Sequence, residues 1–391
     1  MIPFIDLKAQ YAIIEDDVRA RMDAVLAHGR FIMGPEIKEL EAQLAEFTGV
    51  KHALGCGSGT DALLMALMAY NVGPGDVILT SPFTFIATAE VISLLGATPA
   101  FVDIEPDTFN IDPNKLDKAV QAVKAGDPAI HPIPTSLHGN GVTPRGIIGV
   151  DIFGLPADYD RIQDIADREN MFVVGDAAQS FGGEWKGRKA GSLGNVGCTS
   201  FFPAKPLGCF GDGGAVFTDD TELAGIMESI RVHGKGTDKY DNVRVGLNAR
   251  LDTLQAAVLL SKLAIFPKEL DLRDEVADRY DELLAPLAPK ITTPARVAAT
   301  RSAWAQYSLL AESGDMRAAC QAALKDAGAP TAIYYPKPLH LQTAFKYLGY
   351  EPGHMEVSED AATRIFSLPM HPYLKAEQAE MVAKALAQAV A

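Results

Sequence analysis

No stretch of this sequence is long and apolar enough to span a bilayer. A spanning helix needs roughly 18 uninterrupted apolar residues, and the apolar run at residues 256–266 is both shorter and broken by Lys262. The opening Met1-Ile2-Pro3-Phe4-Ile5-Asp6-Leu7-Lys8 lacks the basic start and apolar core of a signal peptide. Positive charge is also short: 35 Lys and Arg stand against 50 Asp and Glu, a formal net charge of −15. Such a chain repels phosphate backbones and anionic lipid at long range, so neither nucleic acid nor a membrane surface is an expected partner. A local basic pocket can still take a small anion. Cysteine is scarce, and Cys56, Cys198, Cys209 and Cys320 form no C-x-x-C pair. That pattern suggests neither a zinc site nor a disulfide scaffold, and reduced thiols in a cytoplasmic protein are the expectation. Internal repeats and low-complexity tracts are missing as well.

What is present is a long chain of 391 residues, 48% of them hydrophobic. That is more than one compact core holds, so a large domain plus a smaller one is expected. Short apolar runs at residues 52–56, 77–81, 99–103, 147–153, 172–175, 198–202 and 215–218 read as strands. Helical patterns at 60–70, 84–95, 113–123, 158–169 and 221–232 follow several of them. This alternation indicates an α/β fold, a mainly parallel sheet covered on both faces, with ligands at the carboxyl ends of its strands. Residues 251–287 read as one or two long helices with Pro267 as a kink or break. The domains are set at 1–265 and 266–391, and the second closes on an amphipathic helix at 376–390. Residues 126–141 look like a loop insertion.

Four segments carry chemistry. Gly55-Cys56-Gly57-Ser58-Gly59-Thr60-Asp61-Ala62 is a glycine-rich turn between a strand and a helix. Glycines let backbone approach an anion, and the N–H groups of a helix start favour phosphate; a plain tight turn capped by Ser58 or Thr60 is the alternative. In Met171-Phe172-Val173-Val174-Gly175-Asp176-Ala177-Ala178-Gln179-Ser180, an acidic residue ends an apolar strand. Asp176 either caps the next helix or faces a ligand. In Cys198-Thr199-Ser200-Phe201-Phe202-Pro203-Ala204-Lys205-Pro206-Leu207-Gly208, a lysine leaves an aromatic run and enters a glycine-rich loop. Most lysines are solvated, as Lys186 and Lys189 are expected to be. Lys205, half-buried among apolar groups, would have a lowered pKa and form a Schiff base. Pyridoxal 5′-phosphate (PLP) needs such a lysine, and it needs a carboxylate to keep its ring nitrogen protonated. The fourth segment, Val245-Gly246-Leu247-Asn248-Ala249-Arg250-Leu251-Asp252, is by itself a helix start with Asn248 as a cap candidate.

Taken together, these blocks resemble the DegT/DnrJ/EryC1/StrS family of sugar aminotransferases, which have the type I PLP-transferase fold. The resemblance runs from Phe4-Ile5-Asp6-Leu7-Lys8 to Ser367-Leu368-Pro369-Met370-His371-Pro372. It implies that Lys205 bonds the cofactor and shuttles a proton, that Asp176 partners the pyridine nitrogen, and that Gln179 lies near the ring hydroxyl. Gly59, Thr60 and Ser200 would hold the cofactor phosphate, and Phe85 would stack on the ring. Asn248 matches a residue that reaches the phosphate of the neighbouring subunit, so a homodimer with shared sites is implied. Arg250 and His340 fall where the family contacts its nucleotide-sugar. The insertion at 126–141 and Asp151 depart from the family pattern, and both are expected near the substrate mouth.

The implied activity is transfer of an amino group from glutamate, leaving 2-oxoglutarate, to a keto-sugar on a nucleotide diphosphate. The closest subgroup aminates C3 of UDP-linked 2-acetamido-3-keto-glucuronate for surface-polysaccharide synthesis. C4 amination of a UDP- or GDP-4-keto-6-deoxy sugar is the alternative within the family. A dehydratase of this fold is disfavoured because those enzymes replace the lysine with histidine. A regulatory or sensor protein is disfavoured by the intact Lys205, Asp176 and Gln179.

Overall fold

The computed structural model describes every residue except Met1 and Lys239. Its chain opens with helices α1 (Leu7–His28) and α2 (Pro35–Thr48) and then enters a seven-stranded sheet. The strands are β1 (His52–Cys56), β2 (Val77–Thr80), β3 (Thr98–Phe101), β4 (Gly146–Val150) and β5 (Phe172–Asp176). A ribbon of β6 (Glu184–Trp185) and β7 (Arg188–Lys189) stands outside the sheet, and β8 (Val196–Ser200) and β9 (Gly214–Thr218) complete it. The spatial order is β1-β9-β8-β5-β4-β2-β3. Strand β9 alone runs against the rest, pairing antiparallel with both β1 and β8.

Helices α3 (Gly59–Ala69), α4 (Ala87–Leu94), α5 (Pro113–Ala125), α6 (Tyr159–Glu169) and α7 (Thr221–Arg231) cover the two faces. The central strands are apolar on both sides for that reason: every residue of Gly146–Val150 and Phe172–Asp176 is buried. Helix α6 shows how a crossover is written locally. Asp158 caps it by accepting from Arg161 N at 3.1 Å, Tyr159, Ile162, Ile165 and Ala166 form its buried stripe, and Asn170 ends it in the left-handed conformation.

Helix α8 (Thr253–Leu284) is a single helix of 32 residues that runs through Pro267. The break expected there is absent. Leu263, Phe266 and Leu270 pack into one apolar cluster with α2 residues Ile37, Leu40 and Leu44, and this burial on both sides of the proline outweighs its local cost. The expected division at residue 265 therefore falls inside a continuous helix. The far end of α8 contributes Val276, Tyr280 and Leu284 to a separate core. That core packs β10 (Ile291–Thr292), β12 (Tyr307–Ala311) and β13 (Ile365–Leu368), one antiparallel sheet, against α9 (Gly314–Asp326) and α11 (Ala376–Val390). Strand β11 (Thr300–Arg301) leaves this region to pair with β6, and α10 (Glu356–Arg364) docks on the edge of the large sheet. There Asp103 accepts from Val357 N at 3.0 Å, Ser358 N at 2.9 Å and Ser358 Oγ at 2.6 Å, and pairs with Lys115 at 2.8 Å.

Residues 126–141 form a loop with one 3-10 turn at Thr135–Leu137, and none of them lines the large cleft at the carboxyl ends of the strands. Ile133 and Leu137 are buried against Leu116 and Val120 of α5, and Thr135 packs on the Leu348–Gly349 turn. Among the described residues, no helix is long and apolar enough to cross a membrane.

Candidate active site

The carboxyl ends of β1, β2, β5 and β8 converge on a cleft of about 760 Å³. Ser58, Gly59 and Thr60 enter it from the β1–α3 turn, where Ser58 Oγ caps α3 by accepting from Asp61 N at 3.0 Å. The first N–H groups of a helix have no intrahelical partner, so this corner is suited to an anion. A β-carbon on Gly59 would lie 2.7 Å from that of Ser200. Only glycine lets α3 start this close to the end of β8.

Asp176 stands at the end of β5, 5% exposed, and lines the cleft. It accepts from Thr88 Oγ1 at 2.9 Å and from Ala178 N at 3.2 Å, and Thr88 in turn meets Thr84 at 3.1 Å. Burial pushes the Asp176 carboxyl above its ordinary range, opposed by Thr88, Ala178 and the Lys205 charge. Burial also lowers the Lys205 amine, with the Asp176 charge opposing. Among the described residues lining the cleft, Lys205 is the only Lys, Arg or His. Asp176 is thus a buried carboxylate whose hydrogen bonds come from neutral groups, and it could hold a ligand's protonated nitrogen.

Gln179, Phe85 and Ser200 line the same cleft. Gln179 is held at both ends: its Oε1 accepts from Phe153 N at 2.8 Å and its Nε2 donates to Tyr335 Oη at 3.1 Å. Phe85 is 56% exposed at the cleft, so its ring faces the open cleft and not the core. Ser200 lines the same wall, its Oγ accepting from Phe202 N at 3.2 Å.

Three expected residues stand elsewhere. Asn248 is exposed, and Arg250 is half-buried and donates to Asn248 Oδ1 at 2.6 Å. Neither lines the cleft of its own chain. His340 does not face substrate from this chain. Its neighbours Leu339, Phe345 and Leu348 pack on Phe101 of β3, which buries the ring, and His340 Nε2 pairs with Glu359 Oε1 at 3.0 Å. Asp151 is likewise not at the mouth. It is buried beside β5, accepting from Ser180 Oγ at 2.6 Å and Ala157 N at 3.0 Å.

A model of the DegT/DnrJ/EryC1/StrS aminotransferase family matches residues 12–387. The chain belongs to that family. It is 46% identical over 388 residues, 99% of each chain, to a Pseudomonas aeruginosa protein named UDP-2-acetamido-2-deoxy-3-oxo-D-glucuronate aminotransferase. A DegT DnrJ EryC1 StrS aminotransferase from Brucella abortus superposes with a TM-score of 0.92 at 47% identity, covering 99% of both chains. A Bacillus subtilis structure with bound cofactor PMP matches with a TM-score of 0.85 at 27% identity, over 99% of this chain and 83% of its own. This DegT/DnrJ/EryC1/StrS aminotransferase is a PLP enzyme.

Several residues of the aminotransferase's cleft escaped the sequence reading. Thr88 had a signal, since it follows Thr84 by four positions within the helical pattern read at 84–95. Ile5, Gln306, Tyr334, Tyr335 and Gln342 line the cleft from distant parts of the chain, and no local pattern marks them.

Proposed function

We propose that this aminotransferase moves an amino group from glutamate to C3 of a UDP-linked 2-acetamido-3-keto-hexuronate, giving an amino sugar for surface-polysaccharide synthesis. The observation that carries the reading is the 46% identity to the P. aeruginosa 3-oxo-glucuronate aminotransferase, which extends over 99% of both chains. In this reading the start of α3, with Gly59, Thr60 and Ser200, holds the PLP phosphate. Phe85 covers the ring, Gln179 stands by its hydroxyl, and Asp176, braced by Thr88 and Ala178, keeps its nitrogen protonated. PLP, when bound, supplies an electron sink for the carbon that loses its proton. Lys205 bonds the cofactor at rest, and its Nζ, once released, takes the proton from the α-carbon of the donor. The lowered pKa of that amine favours the neutral form that can accept a proton.

Asn248 then serves the phosphate of a second copy. Its exposure outside its own cleft supports this, as does the apolar surface nearby. Phe31, Ile32 and Met33 are exposed beside Asp252, where Thr253 N donates to Phe31 O at 2.9 Å and Ile32 bridges Asp252. Such a patch marks an association surface.

The test is incubation of the purified protein and glutamate with UDP-, GDP- and dTDP-linked keto-sugars, with products read by mass. The expected result is amino-sugar formation from the UDP-3-keto-hexuronate. Conversion of a 4-keto-6-deoxy sugar in its place would overturn the C3 assignment.

A further inference from the structure

Ile5 and Lys205, which line the cleft, also border a second, much smaller cavity of about 10 Å³. A single water is the ligand a space of this order takes. Pro206, Asp6, Arg273, His371 and Tyr373 also line it. His371 is 1% exposed, and neither of its ring nitrogens has a hydrogen-bond partner. The Pro3 carbonyl favours charge on the ring but lies outside hydrogen-bond geometry. Arg273 Nε, equally buried, is also unpartnered.

The polar neighbours are engaged with one another. Glu269 accepts from Gln10 Nε2 at 2.9 and 3.0 Å and from the Tyr373 hydroxyl. Arg273 Nη1 donates to Trp304 O at 2.8 Å, and Asp6 accepts from Ala9 N at 2.9 Å. A neutral imidazole carries one N–H and one lone pair, and burying both unmet is costly. Buried polar groups in this position are normally satisfied by an ordered water.

We propose that the cavity binds one ordered water, held by His371 and Arg273 Nε, and that through this water His371 is a positioning residue for Lys205. The second half rests on Lys205 being the cofactor-bonding lysine. During turnover its Nζ is freed in a site where burial disfavours charge, and an amine stranded there without a partner is destabilised. The water gives Nζ a partner on the cavity side while it carries its proton.

A crystal structure of the wild-type holoenzyme at a resolution that shows waters tests the site itself. One water bonded to His371 and Arg273 is expected; a dry cavity, or a His371 ring bonded directly to protein, overturns the proposal whatever Lys205 does. The positioning role is read in the glutamate half-reaction, followed by cofactor absorbance. His371→Phe, which expels the water, should slow it about tenfold, the worth of one hydrogen bond, with cofactor occupancy and glutamate KM unchanged. His371→Gln keeps a donor and an acceptor and should stay within about threefold of wild type. A wild-type rate in His371→Phe, or a slow His371→Gln whose crystal structure retains the water, overturns the positioning role. Cofactor found on another lysine would sink the reading of Lys205 and leave the water site standing.

Discussion

Asp176 and Lys205 face the same problem from opposite signs: burial drives both toward neutrality, and each is the other's main source of compensating charge across the cleft. Replacing Asp176 by Asn keeps the shape and removes the charge. Turnover should fall at least about a hundredfold, the scale of a lost electrostatic stabiliser, and Asp176→Ala should also release cofactor on dialysis. Steady-state rates and bound-cofactor absorbance check this; a wild-type rate in Asp176→Asn would move the role elsewhere. Asp151, one layer back, is a separate case. Burial pushes its carboxyl up to about 7 from 3.8, against the bonds from Ser180 and Ala157. Between those values the folded chain keeps a proton that the unfolded chain has lost. The stability from this group is therefore full below about pH 4 and is lost as pH rises toward about 7. The thermal midpoint of wild type should fall relative to Asp151→Asn between about pH 5 and pH 7; parallel curves would refute it. The cleft-lining residues legible in the sequence, Gly59, Thr60, Asp176, Gln179, Ser200 and Lys205, sit at the carboxyl ends of strands or in the helix start and turns that follow them, where local pattern and chemistry coincide. Tyr335 and Gln342 were not legible because only tertiary folding brings them to the cleft.

At the scale of elements, the approach of α3 to β8 sets the phosphate corner. Gly59→Ala would put a β-carbon against Ser200 Cβ, so one of the two must shift. Cofactor affinity should drop while secondary structure by circular dichroism is unchanged, and Ser200→Gly added to Gly59→Ala should recover the corner's fit though not the hydroxyl. Unchanged cofactor affinity in Gly59→Ala would show that the corner is not the phosphate site. Strands and crossover helices of the large sheet were legible to within a few residues because doubly apolar runs alternate with helical stripes. For helix α8 the sequence left one or two helices open, with a kink or break at Pro267, and the apolar packing on both sides of the proline decides for one. Pro267→Ala should accordingly stabilise the protein by about 1–2 kcal/mol, the missing hydrogen bond regained less the entropy that proline removes from the unfolded chain. A lower unfolding midpoint in denaturant would contradict this. The small sheet had no comparable signature: β10 spans two residues and β13 four.

One helix, α8, and a buried clasp at Asp103 tie the two ends of the chain together, and residues from both ends line a single cleft. The proposed second copy has its own test. Lys205→Ala and an Asn248 variant, each inactive alone, should recover activity on subunit exchange, because one mixed cleft collects both defects and the other none. Mixed dimers verified by tag pull-down with only parental activity would leave Asn248 a partner of Arg250 within its own chain and not the helix cap of the alternative reading, since Asp252 is the residue that precedes α8. The chemistry of the cleft turns on which lysine carries the cofactor, and the fold offers a rival. Lys262 is also buried, its amine lowered to about 8 by burial and its Nζ without a hydrogen-bond partner, 4.6 Å from the centre of the Phe210 ring. Borohydride reduction of the holoenzyme fixes the cofactor as a secondary amine, and peptide mass mapping then locates it. The adduct is expected on Lys205, with none formed in Lys205→Ala; an adduct on Lys262 would overturn the assignment.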